Sequence, residues 1–127
     1  MSELTVIEVK RDEFKTRTEL CGRSVAAAFI GTADMLATKD LERYVRALEA
    51  EVRRLAVCEV VVDMRELYFM NSHCLKLLVS WIVRAEALAP PQRCTFLFRT
   101  HRGLPWQRRT LLALTALAES IVRVEEA

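Results

Sequence analysis

The run Val57-Cys58-Glu59-Val60-Val61-Val62-Asp63-Met64 decides how this chain is read, because a helical pattern lies on each side of it. Its β-branched residues, in a run too short for a helix and bordered by charge, make it a buried strand. Ahead of it, Leu41, Tyr44, Val45, Leu48, Val52 and Leu55 recur every three or four residues and share one helical face. Glu49 and Arg53 support the exposed face, and Thr38 is placed as the helix cap. Behind it, a helix is expected from about Ser72 to Leu88, stopped by Pro90-Pro91. Leu75, Leu78, Val79 and Ile82 form one stripe of that helix, and Leu77, Trp81 and Leu88 a second. Trp81 thus belongs either to the core or to a homodimer or partner interface. Helix, strand, helix in this order is the unit of an α/β fold.

Working outward, Val25 to Ile30 is continuously apolar and reads as a strand covered on both faces. Gly31-Thr32-Ala33-Asp34 is expected to be a short loop. Leu4 to Val9 reads as a first strand, Arg11-Asp12-Glu13 as a turn, and Phe14 to Leu20 as a second strand broken by Cys21-Gly22-Arg23. Arg65 to Asn71 reads as a loop, unusually apolar for one because it carries Leu67, Tyr68, Phe69 and Met70. Downstream come a strand at Cys94–Phe98, a helix from Trp106 to about Ser120 entered through Gly103 and Pro105, and a last strand at Ile121–Val124. The expectation is one domain over residues 1–127, an α/β sandwich. Its sheet is mixed and largely parallel, with about five or six strands and about three main helices. In such units the loops leaving the strands gather at one end of the sheet, so Gly31–Asp34, Leu67–Ser72 and Thr100–Arg109 should share it.

Composition bounds the function. The chain of 127 residues suffices for one cored domain. Its 19 basic and 17 acidic side chains leave a charge of +2, no field for nucleic acid as main partner. No apolar run is long enough for membrane insertion, and Met1-Ser2-Glu3-Leu4-Thr5 lacks the cationic start of a signal peptide, so a cytoplasmic location is expected. Cys21, Cys58, Cys74 and Cys94 are widely spaced with no Cys-x-x-Cys pair; they read as reduced thiols, several of them small core residues. Neither a cofactor nor a structural metal is expected.

The segment Val60-Val61-Val62-Asp63-Met64-Arg65-Glu66-Leu67-Tyr68-Phe69-Met70-Asn71-Ser72-His73-Cys74-Leu75 resembles the signature of STAS domains. These are the domains of bacterial anti-sigma-factor antagonists and of the cytoplasmic tails of sulfate transporters. The family pattern is an apolar strand, an Asp, a loop ending in Phe-Met-Asp-Ser-Ser-Gly-Leu, and a helix. Phe29-Ile30-Gly31-Thr32-Ala33-Asp34 resembles the family's Gly-x-x-Asp loop, and the resemblance is strongest over residues 25–124. It implies a STAS-like sandwich and a bacterial signalling module that works by partner switching. In the antagonist branch, a protein that is both serine kinase and anti-sigma factor phosphorylates the Ser after the signature Asp, and the phosphorylated form cannot bind it. Ser72 holds that position here. Gly31, Asp34, Asn71, Ser72 and His73 are the partner-binding positions so implied. This sequence departs from the pattern at Asn71 for the Asp, His73 for the second Ser and Cys74 for the Gly.

Other readings stand beside this one. Asn71 and Cys74 favour a non-phosphorylated scaffold or oligomer subunit. Ser72 can be no more than a helix cap, a role Asn71 fills equally well, and Asp34 can be a turn residue. A small enzyme using His73 and Cys74 is the remote alternative: neighbours at a helix start point apart, and nothing marks an oxyanion hole. A metal site from His73, Cys74 and His101 lacks ligand spacing. Arg99, His101, Arg102, Arg108 and Arg109 surround Trp106 as a solvated loop with Trp106 for a lid, or as a docking loop for an acidic partner or phosphate. One Trp and a few Arg do not make a nucleic-acid stacking platform.

Overall fold

In the computed structural model, which describes residues 4–126, the valine run lies in the middle strand of a five-stranded sheet. The strands are β1 (Phe14–Cys21), β2 (Ser24–Ala33), β3 (Glu59–Met70), β4 (Thr95–Thr100) and β5 (Val122–Glu126). The helices are α1 (Thr38–Arg54), α2 (Ser72–Glu86) and α3 (Pro105–Leu117), with short 3₁₀ turns at Met35–Ala37 and Pro90–Gln92. Met1–Glu3 and Ala127, which the single-domain reading and the signal-peptide reading include, lie outside the described residues.

Spatial order follows chain order; β1 and β2 are antiparallel and every other pair is parallel. Each parallel pair is joined through a helix, and right-handed crossovers stepping in one direction lay all three helices on the same face. Val25, Ala27 and Phe29 of β2, Val60, Val62 and Met64 of β3, and Phe96 and Phe98 of β4 supply the sheet's half of the core. Leu41, Tyr44 and Leu48 of α1, Leu78, Trp81 and Ile82 of α2, and Leu111 and Leu114 of α3 supply the helical half. Trp81 stands edge-on to Phe96 with ring centroids 5.0 Å apart, which assigns it to the core.

Several sequence expectations are corrected. Leu4–Val9 forms no strand, only an isolated bridge from Lys10 to Lys15. Its N–H groups bond side chains, Thr5 N–H donating to Glu51 and Val9 N–H to Thr16 Oγ1, each at 2.8 Å, and Val9 O alone accepts a backbone bond from β1, from Thr16 N–H at 3.0 Å. Gly31–Ala33 is no loop but the end of β2, and Arg65–Met70 is no loop but the end of β3. Thr38 is not a side-chain cap; its hydroxyl donates back to Asp34 O at 3.4 Å. Cys74 and Cys94 are core residues, whereas Cys21 and Cys58 are exposed. Finally, β2 is covered on one face only: Ala26, Ala28 and Ile30, on its other face, remain partly exposed.

Candidate functional site

Beyond Asp63, its last residue paired with β4, β3 continues to Met70 against β2 alone. Its register slips twice on the way: Ala28 faces Asp63 but Ile30 faces Glu66, and Gly31 faces Leu67 but Thr32 faces Phe69. Each slip is an extra residue in β3, which bends the strand and strands backbone groups. Burial then falls on every third residue, Met64, Leu67 and Met70, and leaves Tyr68 and Phe69 outside. Buried Gln107, near the start of α3, satisfies the freed carbonyls. Its Nε2 donates to Met64 O at 2.6 Å and Leu67 O at 2.9 Å, while its Oε1 accepts from His101 N–H at 2.9 Å. Sequence reading passed over Gln107, since its role follows from bulges that composition does not announce.

Gly31 answers a similar steric demand. At φ +102° it lies in a region that side chains avoid, and a Cβ there would stand 2.1 Å from Glu13 O. That close approach lets Glu13 O accept from Thr32 N–H at 2.7 Å, tying the β1 entry to the end of β2. Gly31 thereby aims the turn that follows. In that turn Asp34 Oδ1 accepts from Leu36 N–H at 2.9 Å.

The ends of β2 and β3 meet where Asn71 N–H donates to Ala33 O at 2.9 Å. Asn71 is the cap of α2, its Oδ1 accepting from Cys74 N–H at 2.8 Å, while its Nδ2 is shielded without an acceptor. Capping by Asn71 leaves the exposed Ser72 without that task, and the Ser72 hydroxyl bonds no described residue. Cys74 points the other way. It is fully buried, with Sγ 3.6 Å from Thr38 Oγ1 and 3.8 Å from Asp34 O, and burial pushes its thiol pKa up. A shielded thiol beside an exposed His73 is poorly placed for nucleophilic chemistry.

The segments that lead into Ser72 and lie beside it expose large apolar side chains. Met35 is 75% exposed, Leu36 71%, Tyr68 59% and Phe69 50%, and all four sit on the segments that the Asn71–Ala33 bond holds together. A hollow of about 430 Å³ adjoins them, with Arg11, Glu13, Asp34 and Leu36 in its wall.

The basic loop lies at the same end of the sheet but short of this surface, because β4 stops at Thr100 while β3 runs on. Arg99 pairs with Glu125 at 3.3 Å and Arg102 with Glu126 at 3.6 Å, so the C-terminal strand offsets part of its charge. Trp106 is half-buried against the core, and Arg108 and Arg109 are exposed. Among the described residues no hydrogen bond or ion pair joins this loop to Ser72. Nor do three or more His, Cys, Asp or Glu side chains gather there where a metal could bind. No helix among these residues is long and apolar enough to cross a membrane.

Strand order, one-sided helices and a serine heading the second helix together define a STAS-like α/β fold. Comparison with solved structures agrees. The chain is similar to an anti-sigma factor antagonist from Mycobacterium paratuberculosis, with TM-score 0.63 and 20% identity over 85% of each chain. It is also similar to the anti-sigma factor antagonist SpoIIAA in its unphosphorylated form, with TM-score 0.58 and 17% identity over 87% of each chain. The phosphorylated form of SpoIIAA, the Bacillus cell fate determinant, gives TM-score 0.58 and 17% identity over 87% of this chain and 90% of that one. No protein-family model and no curated protein matches the sequence.

Proposed function

We propose that this protein is a regulatory binding module of the anti-sigma-factor-antagonist kind, which docks a protein partner through the Ser72 end and is switched by phosphorylation of Ser72. The observation that carries the reading is an unengaged, exposed serine hydroxyl at the junction of the two segments that expose Met35, Leu36, Tyr68 and Phe69. The similar protein SpoIIAA is described in phosphorylated and unphosphorylated forms, which suits a switch of this kind.

The departures from the family pattern are compatible with it. Cys74 turns its side chain into the core, so it adds no bulk to the docking surface. Asn71 keeps the cap without a carboxylate, and a phosphate on Ser72 then meets no negative neighbour at position 71. Phosphorylation would add nearly two negative charges at the start of a helix, where the fold tolerates them, and in the middle of an apolar ridge, where a partner does not. Asp34 and His73 complete the contact surface, and a serine kinase that is also an anti-sigma factor, or a related signalling protein, is the partner class. The protein acts as a cytoplasmic, bacterial signalling component and not as an enzyme.

Phosphopeptide mass spectrometry of the protein isolated from its native cells tests the switch. Phosphate on Ser72, with Ser72→Glu losing a partner that Ser72→Ala keeps, is the expected result. Unmodified Ser72 and a partner indifferent to Ser72→Glu would replace the switch with a constitutive scaffold.

A further inference from the structure

The open face of the sheet carries a charge pattern that matches itself. Two rows of side chains cross it, each read directly from the strand registers. One row runs Glu19–Ala26–Val61–Leu97–Arg123 and the next Arg17–Ala28–Asp63–Arg99–Glu125. The first row is acidic at β1 and basic at β5; the second is basic at β1 and acidic at β5. Between those ends the first row carries small or apolar side chains, Ala26 and Leu97 partly exposed and Val61 only 8% exposed yet outside the helix-side core, and the second carries partly exposed Ala28 followed by the charged Asp63 and Arg99.

We infer that this face binds a second copy of the chain, sheet against sheet, about a two-fold axis running along the strands near β3. Such an axis sends β1 of one copy over β5 of the other while keeping each row at its own level. Glu19 then approaches the second copy's Arg123, and Arg17 its Glu125. The interior fits as well: Ala26 lies opposite Leu97 and Ala28 opposite Arg99, so small residues receive large ones. Val61 and Asp63, both on β3, lie at the axis and meet their own copies; each Asp63 enters already neutralised by Arg65, which holds it at 2.7 and 3.0 Å, so the two carboxylates do not face each other unpaired. An axis across the strands, between the two rows, would also bring Glu19 to Arg17 and Arg123 to Glu125, but it would stack Ala26 on Ala28 and Leu97 on Arg99, leaving a gap at one place and crowding at the other. Parallel sheets are as a rule covered on both faces, and Val25–Ile30 reads as such a strand, yet its own chain covers one face only. A second copy supplies the missing cover.

Five strands spaced about 4.8 Å apart give a footprint at the small end of specific interfaces, so the dimer is a concentration-dependent one. The face is formed by the middles of the strands, whereas Ser72 lies at their end, so this inference stands or falls independently of the switch.

Sedimentation velocity over a wide dilution series tests it. Wild type is expected to shift from monomer to dimer with concentration, and Leu97→Asp to remain monomeric while unfolding at the same temperature. Glu19→Arg and Arg123→Glu should each weaken the dimer, and an equimolar mixture of the two should recover it, because the heterodimer restores both end contacts. A wild type that stays monomeric throughout, a Leu97→Asp variant that dimerises like wild type, or a mixture no better than its components would overturn the proposal.

Discussion

Replacing Gln107 by Leu removes a buried side chain that holds the bulged end of β3. The substitution nearly conserves volume, so its effect is chiefly polar. Two buried carbonyls, Met64 O and Leu67 O, lose their donor, and the partly buried His101 N–H loses its acceptor. An orphaned buried group costs about 1–3 kcal/mol, carbonyls lying toward the lower end because each has a second lone pair. The total is about 2–4 kcal/mol, which for a domain of this size lowers the unfolding midpoint by roughly 8–15 °C. Thermal and urea unfolding by circular dichroism measure it. Hydrogen exchange should locate the change, with faster exchange along Arg65–Met70 and little elsewhere. Gln107→Glu should also destabilise, and the loss should shrink on acidification. Its carboxylate would face two carbonyls, which raises its pKa in the fold; stability is then lost as pH rises through the carboxylate range and regained below it. The consequence for function is indirect: Tyr68 and Phe69 ride on this strand, so partner binding should weaken although Gln107 lies beneath the surface. A Gln107→Leu protein as stable as wild type, within about 0.5 kcal/mol, would refute the assignment of this residue as the strand's support.

Gly31→Ala forces a Cβ to within 2.1 Å of Glu13 O at a backbone angle suited to glycine, so a loss of about 3 kcal/mol or more is expected in urea unfolding. Asn71→Ala should cost about 0.5–2 kcal/mol by removing the cap of α2, whereas Ser72→Ala should change stability by less than about 0.5 kcal/mol; the same titrations compare them. In the native protein a maleimide should label Cys21 and Cys58 quickly. Cys74 and Cys94, both buried and the latter with its thiol pushed up to about 11 by burial, should react only after unfolding.

Where the chain repeats regularly, its elements were legible in the sequence. The period of α1 from Leu41 to Val52, the β-branched start of β3 and the Pro-flanked third helix all stand near their expected places. What escaped was irregular. The end of β3 buries every third residue because of its two bulges, so neither the strand period nor the helix period describes it, and it reads as an apolar loop. The N-terminal segment alternates like a strand, yet its backbone is taken up by Thr16 and Glu51. Of the residues that the motif pointed to, Asn71 and Asp34 lie on segments joined by the Asn71–Ala33 bond, while the choice of Asn71 over Ser72 as cap depended on side-chain geometry. Met35 and Leu36, exposed in the 3₁₀ turn ahead of α1, belong to no motif and were passed over in the sequence.

The most direct test of the central claim is a partner capture from native lysate with wild type, Ser72→Ala, Ser72→Glu and the double variant Tyr68→Ser/Phe69→Ser as baits, each first shown to be folded. Wild type and Ser72→Ala are expected to retain the same signalling protein, and Ser72→Glu and the double variant to lose it. Equal retention by all four baits would contradict the claim, because the partner would then be docking elsewhere on the fold.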